Sequence, residues 1–141
     1  MMDTSALLTV ASIISGFGIT IFTFRLQREI QVMERNSKVW IPWADCLVIA
    51  AVMISLLIGI LPIVMLSSPP KLIYQVSNGA CAASIVMLAG YIPGILAHYR
   101  FILTKNTYSA RQNPEPSERW IVITFLCFAV IAFTVASTKI L

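Results

Sequence analysis

The chain has 141 residues, of which 58% are hydrophobic and 11% charged, and its formal net charge is +4. A soluble domain carries charge on roughly a quarter of its residues, so this composition excludes a globule covered by water and makes lipid the solvent. The length allows one domain. The modest charge sits in two blocks beside apolar runs, which reads as a topology signal and not as a nucleic-acid footprint.

Crossing a hydrocarbon core of roughly 30 Å takes about 20 mainly apolar residues. Four stretches qualify: 4–24, 41–66, 76–97 and 120–138, none of which contains Lys, Arg or Glu. The predicted fold class is all-α, a polytopic integral membrane protein with four transmembrane helices in a single domain, 1–141.

The first stretch reads as a mature helix in preference to a secretory signal. A signal needs a basic n-region and a small-residue cleavage site, whereas no basic residue precedes this run and "TFRL" closes it. Between Phe24 and Asn36 there is neither Gly nor Pro, and Leu, Gln, Arg, Glu and Met are good helix formers. Glu34 and Lys38 stand at the favourable i, i+4 order. One helix from Thr4 to about Asn36 is expected, roughly 50 Å long at 1.5 Å per residue, extending from the membrane into the cytoplasm.

This helix has faces. Ser5, Thr9, Ser12, Gly16, Thr20, Thr23, Gln27 and Glu34 recur at helical spacing. The stripe reads either as the water-lined wall of a pore or as a close helix contact, and small residues favour the contact. Val10, Ile14, Phe17, Ile21 and Phe24 are expected towards lipid. The strip Phe22, Leu26, Ile30 and Met33 is expected to dock on a neighbouring helix. Arg25, Arg28 and Arg35 are placed to reach anionic lipid headgroups.

In the second stretch, Pro42 suits a first helical turn, and Asp45 is the acid nearest a membrane segment. An acid inside the membrane is functional by default. Beside Trp43, with Lys38, His98 and Arg119 at similar depth, it reads instead as half of an interfacial ion pair.

The third stretch carries a ridge of small residues, Gly79, Ala83, Gly90 and Gly94, which suits helix packing in lipid. Pro93 in "GYIPG" removes a backbone bond and kinks the helix; a static bend is favoured over a hinge. His98 at its end reads as an interfacial residue at a helix C-terminus, in preference to a haem ligand.

The connector 98–119 contains "NPEP", which cannot be helical, and then Ser117 and Glu118, which suit a helix start. Tyr108, Arg111, Glu115 and Arg119 are its candidate partner contacts, against the plainer reading of a solvated loop.

Orientation follows from the basic residues. Connectors 25–40 and 98–119 hold eight of the ten Lys and Arg, leaving Lys71 and Lys139 for the other side. The bias predicts both connectors cytoplasmic and both termini outside, in a plasma (inner) membrane. Trp40, Trp43 and Trp120 then fall at the cytoplasmic interface, where indole rings prefer to sit.

Catalytic, cofactor and metal motifs are absent. Cys46, Cys81 and Cys127 lie in three different stretches and form no CxxC pair. A proton-coupled exporter needs a carboxylate in mid-membrane, and the first helix has none between Asp3 and Glu29. The reading is a self-associating membrane protein without catalysis, either a homo-oligomeric pore lined by the first helix or an accessory subunit of a larger membrane complex. Its expected partners are membrane lipids and further protein subunits.

Overall fold

The computed structural model of the protein describes residues 4–35, 42–103 and 115–138 and, within these, all side chains but those of Val32, Met33 and Arg35. Expectations that rest on Asn36, Lys38, Trp40, Tyr108 and Arg111, or on the side chains of Met33 and Arg35, lie outside the described residues. The described chain is all-helical. It forms four helices: α1 (Thr4–Arg35), α2 (Ala44–Met65), α3 (Lys71–His98) and α4 (Pro116–Thr138). Each is long and apolar enough to cross a membrane.

Helix boundaries follow local chemistry. α1 runs unbroken through Arg25 and Arg28 because nothing in that stretch breaks a helix. α3 starts directly after Pro69 and Pro70, five residues before its apolar run; proline closes off what precedes it and leaves Lys71 free to begin the helix. α4 starts at Pro116, with the Arg119 amide donating to the Glu115 carbonyl at 3.0 Å, so Glu115 and not Ser117 occupies the cap.

α2 changes pitch. Its residues Ser55–Ile60 form a π-helical turn, in which the Leu61 amide reaches back five residues to the Leu56 carbonyl. Pro62 follows directly and has no N–H for the carbonyl of Ile58. The Ser77 hydroxyl of α3 donates to that carbonyl instead, at 3.1 Å. A proline defect in one helix is thus filled by a serine of its neighbour.

α2 and α3 form the centre. α4 packs mainly along α3, while α1 lies on α2 and α3 and, among the described residues, does not touch α4. Leu47, Ala51, Ala83, Met87, Val122 and Ala129 join α2, α3 and α4. Leu7, Ala11, Ile14, Ile63 and Cys81 join α1 to the far ends of α2 and α3. Lipid tails are as apolar as leucine, so close approach and hydrogen bonds hold such helices together. The glycines supply the approach. A Cβ at Gly90 would stand 2.6 Å from the Phe125 Cβ, one at Gly94 2.9 Å from the Ala44 Cβ, and one at Gly18 would overlap Val52. Hydroxyls and an amide supply the bonds: Ser55 to the Ala11 carbonyl at 3.1 Å, Ser84 to that of Ala51 at 3.0 Å, and Asn78 to that of Ala136 at 2.9 Å.

The rotation of α1 differs from expectation. Ile14 is buried at 5% exposure, and Ile21 packs against the cluster of Ala44, Val48 and Tyr91, so neither faces lipid. Phe22, Leu26 and Ile30 are exposed and do not dock. The inward face is Leu7, Ala11, Ile14, Ser15, Gly18 and Arg25. The close approach at Gly18, with Arg25 reaching α2, fixes this rotation.

Candidate functional site

One end of the bundle, the end rich in basic residues, concentrates buried charge. The sequence brings it there simply. α1 carries its first cations after five to six turns, α2 begins with an acid, α3 ends "HYR", and α4 begins "EPSE". Antiparallel neighbours therefore place all these groups at one level.

Glu118 of α4 is fully buried. Its Oε1 accepts the Ala44 amide at 2.9 Å, and its Oε2 lies 2.9 Å from Nδ1 of His98, itself 3% exposed. This carboxylate fills one of the amides left open at the start of α2 and ties α2, α3 and α4 together. His98 ends α3, as expected, and its ring is sealed against Glu118.

Arg25 of α1 is also buried, at 8% exposure, which corrects its expected role at lipid headgroups. Its Nε lies 3.4 Å from Asp45 Oδ1, and its Nη1 donates to the Tyr99 hydroxyl at 2.8 Å. Its Nη2 stands 3.0 Å from Glu29 Oε1, one turn on, outside hydrogen-bonding geometry, so that contact is ionic. Asp45 thus forms an ion pair, as expected, but with Arg25, which was not among the cations expected at its depth. Burial of Arg25 is tolerable because two carboxylates and a phenol replace its water.

Arg28 remains exposed, with its guanidinium carbon 4.7 Å from the centroid of the Tyr99 ring, a cation–π contact. Arg100 binds Glu115 at 2.7 and 2.9 Å through Nη2 and Nε. Glu115 is 4% exposed, so it is not the open partner contact expected of it, whereas Arg119 is exposed and leans over Trp43 at 5.9 Å. Trp43 and Trp120 are 40% and 71% exposed at this same end.

His98, Tyr99 and Arg100 form the node. Three consecutive residues at the end of α3 reach α4, α1 and the cap of α4 in turn. The backbone there closes with the Phe101 amide on the Leu96 carbonyl and the Arg100 amide on that of Ala97, both at 2.9 Å. This pattern calls for a left-handed residue, usually glycine. Arg100 occupies it with φ 61°, and Leu103 has φ 61° as well.

The remaining candidates lie elsewhere. Ser5, Thr9, Ser12, Gly16, Thr20, Thr23, Gln27 and Glu34 are all exposed on the side of α1 turned away from the bundle. Nothing lies within 4 Å of a Cβ added at Gly16. Thr9, Thr20 and Thr23 each donate to the carbonyl four residues back at 2.8 Å, so their hydroxyls are satisfied without water. Gly79, Ala83, Gly90 and Gly94 are buried, facing α4 and α2 of the same chain. Among the described residues no three His, Cys, Asp or Glu stand together as metal ligands. The chain matches no protein-family model, no curated protein and no solved structure.

Proposed function

We propose that this chain is a non-catalytic integral membrane protein that associates with copies of itself through the outward face of α1, its basic end in the cytoplasm and its termini outside. The observation that carries this reading is the open stripe. About five turns of small or hydroxylated side chains, Ser5 to Thr23, lie opposite the face that the bundle uses, with Gly16 near their centre. Ile13, Phe17 and Phe24 border the stripe on one side and Ile19, Leu26 and Ile30 on the other, all exposed. Small residues flanked by large ones form a seam into which a second helix fits closely. Because the three threonine hydroxyls bond carbonyls one turn back in the same helix, they need no partner across the seam, and this favours a dry contact over a pore wall.

The pore remains the second reading, on the observation that the stripe continues as Gln27 and Glu34 beyond the buried Arg25. An accessory role is favoured by α4, of whose most apolar stretch 11% is buried, against 44% for α3. Native mass spectrometry of particles purified in mild detergent tests the reading. Self-association predicts an integral multiple of this chain alone. A monomer, or a stoichiometric complex with other subunits, overturns it.

A further inference from the structure

We infer that the last turns of α3, residues 94–100, form a hinged latch that pivots at Pro93 and is held shut by the charged node. The pivot comes from covalent chemistry: Pro93 has no N–H for the carbonyl of Ala89, so the helix lacks one bond there. Gly90 and Gly94 flank it, and each owes its position to a close contact, with Phe125 and Ala44, not to its own side chain.

Beyond the pivot the segment makes short apolar contacts, Gly94 on Ala44 and Ile95 on the cluster of Ala44, Val48 and Tyr91, and is tied at its end by ions. His98 meets Glu118, Tyr99 meets Arg25, and Arg100 meets Glu115. Above the pivot α3 is packed by apolar side chains, Ala83 and Met87 among them, and by the Ser84 and Ser77 hydroxyls. The two parts respond differently to opening. Separating apolar groups gains nothing from water, whereas buried ions regain hydration, which offsets much of what their pairing contributed. The charged end is therefore the part that opens at low cost.

The backbone points the same way. A residue with a side chain in the left-handed region carries strain that persists only where its surroundings hold it. At Arg100 the guanidinium on Glu115 adds to the closing backbone bonds that set this conformation, so release of the pair removes one of the restraints on it. Leu103, also left-handed, lies three residues on. Strain, a missing helical bond and a cluster of hydratable ions coincide within eleven residues of one helix end.

Hydrogen exchange followed by mass spectrometry on the full chain in nanodiscs tests the latch. Arg100→Ala removes the pair and keeps the strained backbone, and should speed exchange of amides 94–103 about tenfold while residues 71–88 stay at wild-type rates. Arg100→Gly removes the pair but relieves the strain, and should raise exchange less. Adding Pro93→Ala to Arg100→Ala restores the missing helical donor and should return the segment most of the way to wild type. Unchanged exchange in 94–103, an equal rise in 71–88, or no effect of Pro93→Ala would each overturn the hinge.

Discussion

Glu118 Oε2 stands 2.9 Å from His98 Nδ1, with both side chains sealed from solvent. The same carboxylate accepts the Ala44 amide through its other oxygen. Glu118→Ala removes both links and leaves His98 and an open helix start buried together. Losing one partner of a buried pair typically costs about 3–5 kcal/mol. Glu118→Gln keeps an acceptor for Ala44 and a hydrogen-bonding group for His98, so it should cost clearly less. Equilibrium unfolding in mixed micelles reads the difference; equal losses for Ala and Gln would contradict the tie.

Arg25 and Asp45 form the second tie, between α1 and α2. Asp45→Asn leaves the guanidinium with Glu29 and Tyr99, and Arg25→Gln leaves the acid uncompensated. Each should destabilise the fold, and the double variant should lose less than the sum, with a coupling of about 1–3 kcal/mol. Strict additivity in the same unfolding experiment would mean that the 3.4 Å contact contributes nothing.

Gly90→Leu should lower stability within a single chain, because the added side chain overlaps Phe125. Overpacking costs about 1–3 kcal/mol in ordinary cores. Phe125→Ala in the same chain should recover part of that loss by making room. If Gly90→Leu melts like wild type, α3 and α4 do not meet at this residue.

The four helices were legible in the sequence because each is a long apolar run, long enough to cross a membrane, bounded by charge or proline. Which way α1 faces was not. In an amphipathic helix the apolar side marks the core, but α1 is apolar on several sides: Ile14 and Phe17 are equally apolar while one is buried and the other 66% exposed. The glycine that mattered for packing α1 inside the bundle is Gly18, and the periodic stripe drew attention to Gly16. The charged end was visible only as a boundary. Arg25 and Asp45 lie 20 residues apart, and Ala44 and Glu118 lie 74 apart. No local pattern signals such pairs, although the presence of both acids (Glu29, Asp45, Glu115, Glu118) and bases (Arg25, His98, Arg100) at one end offered a hint. The π-turn was equally hidden, since Pro62 announces a lost bond but not that Ser77 fills the gap it leaves.

Topology has its own test. The excess of Lys and Arg predicts that the end of α1 is cytoplasmic and the start of α3 external. Gln31 and Lys71 are both exposed. Gln31→Cys and Lys71→Cys, placed singly in a chain lacking Cys46, Cys81 and Cys127, should differ towards an impermeant thiol reagent added to intact cells. Position 71 should label and position 31 should not; the reverse pattern would invert the orientation.

Self-association through α1 is tested most directly by the particle mass of Gly16→Leu beside wild type, measured by sedimentation in the same mild detergent. A Cβ at Gly16 meets nothing within 4 Å and the position is exposed, so helicity and melting should be unchanged, while a leucine in the seam should hold two helices apart. The account predicts a multimeric wild type and a folded Gly16→Leu monomer. A monomeric wild type, or a Gly16→Leu particle of wild-type mass, would contradict it.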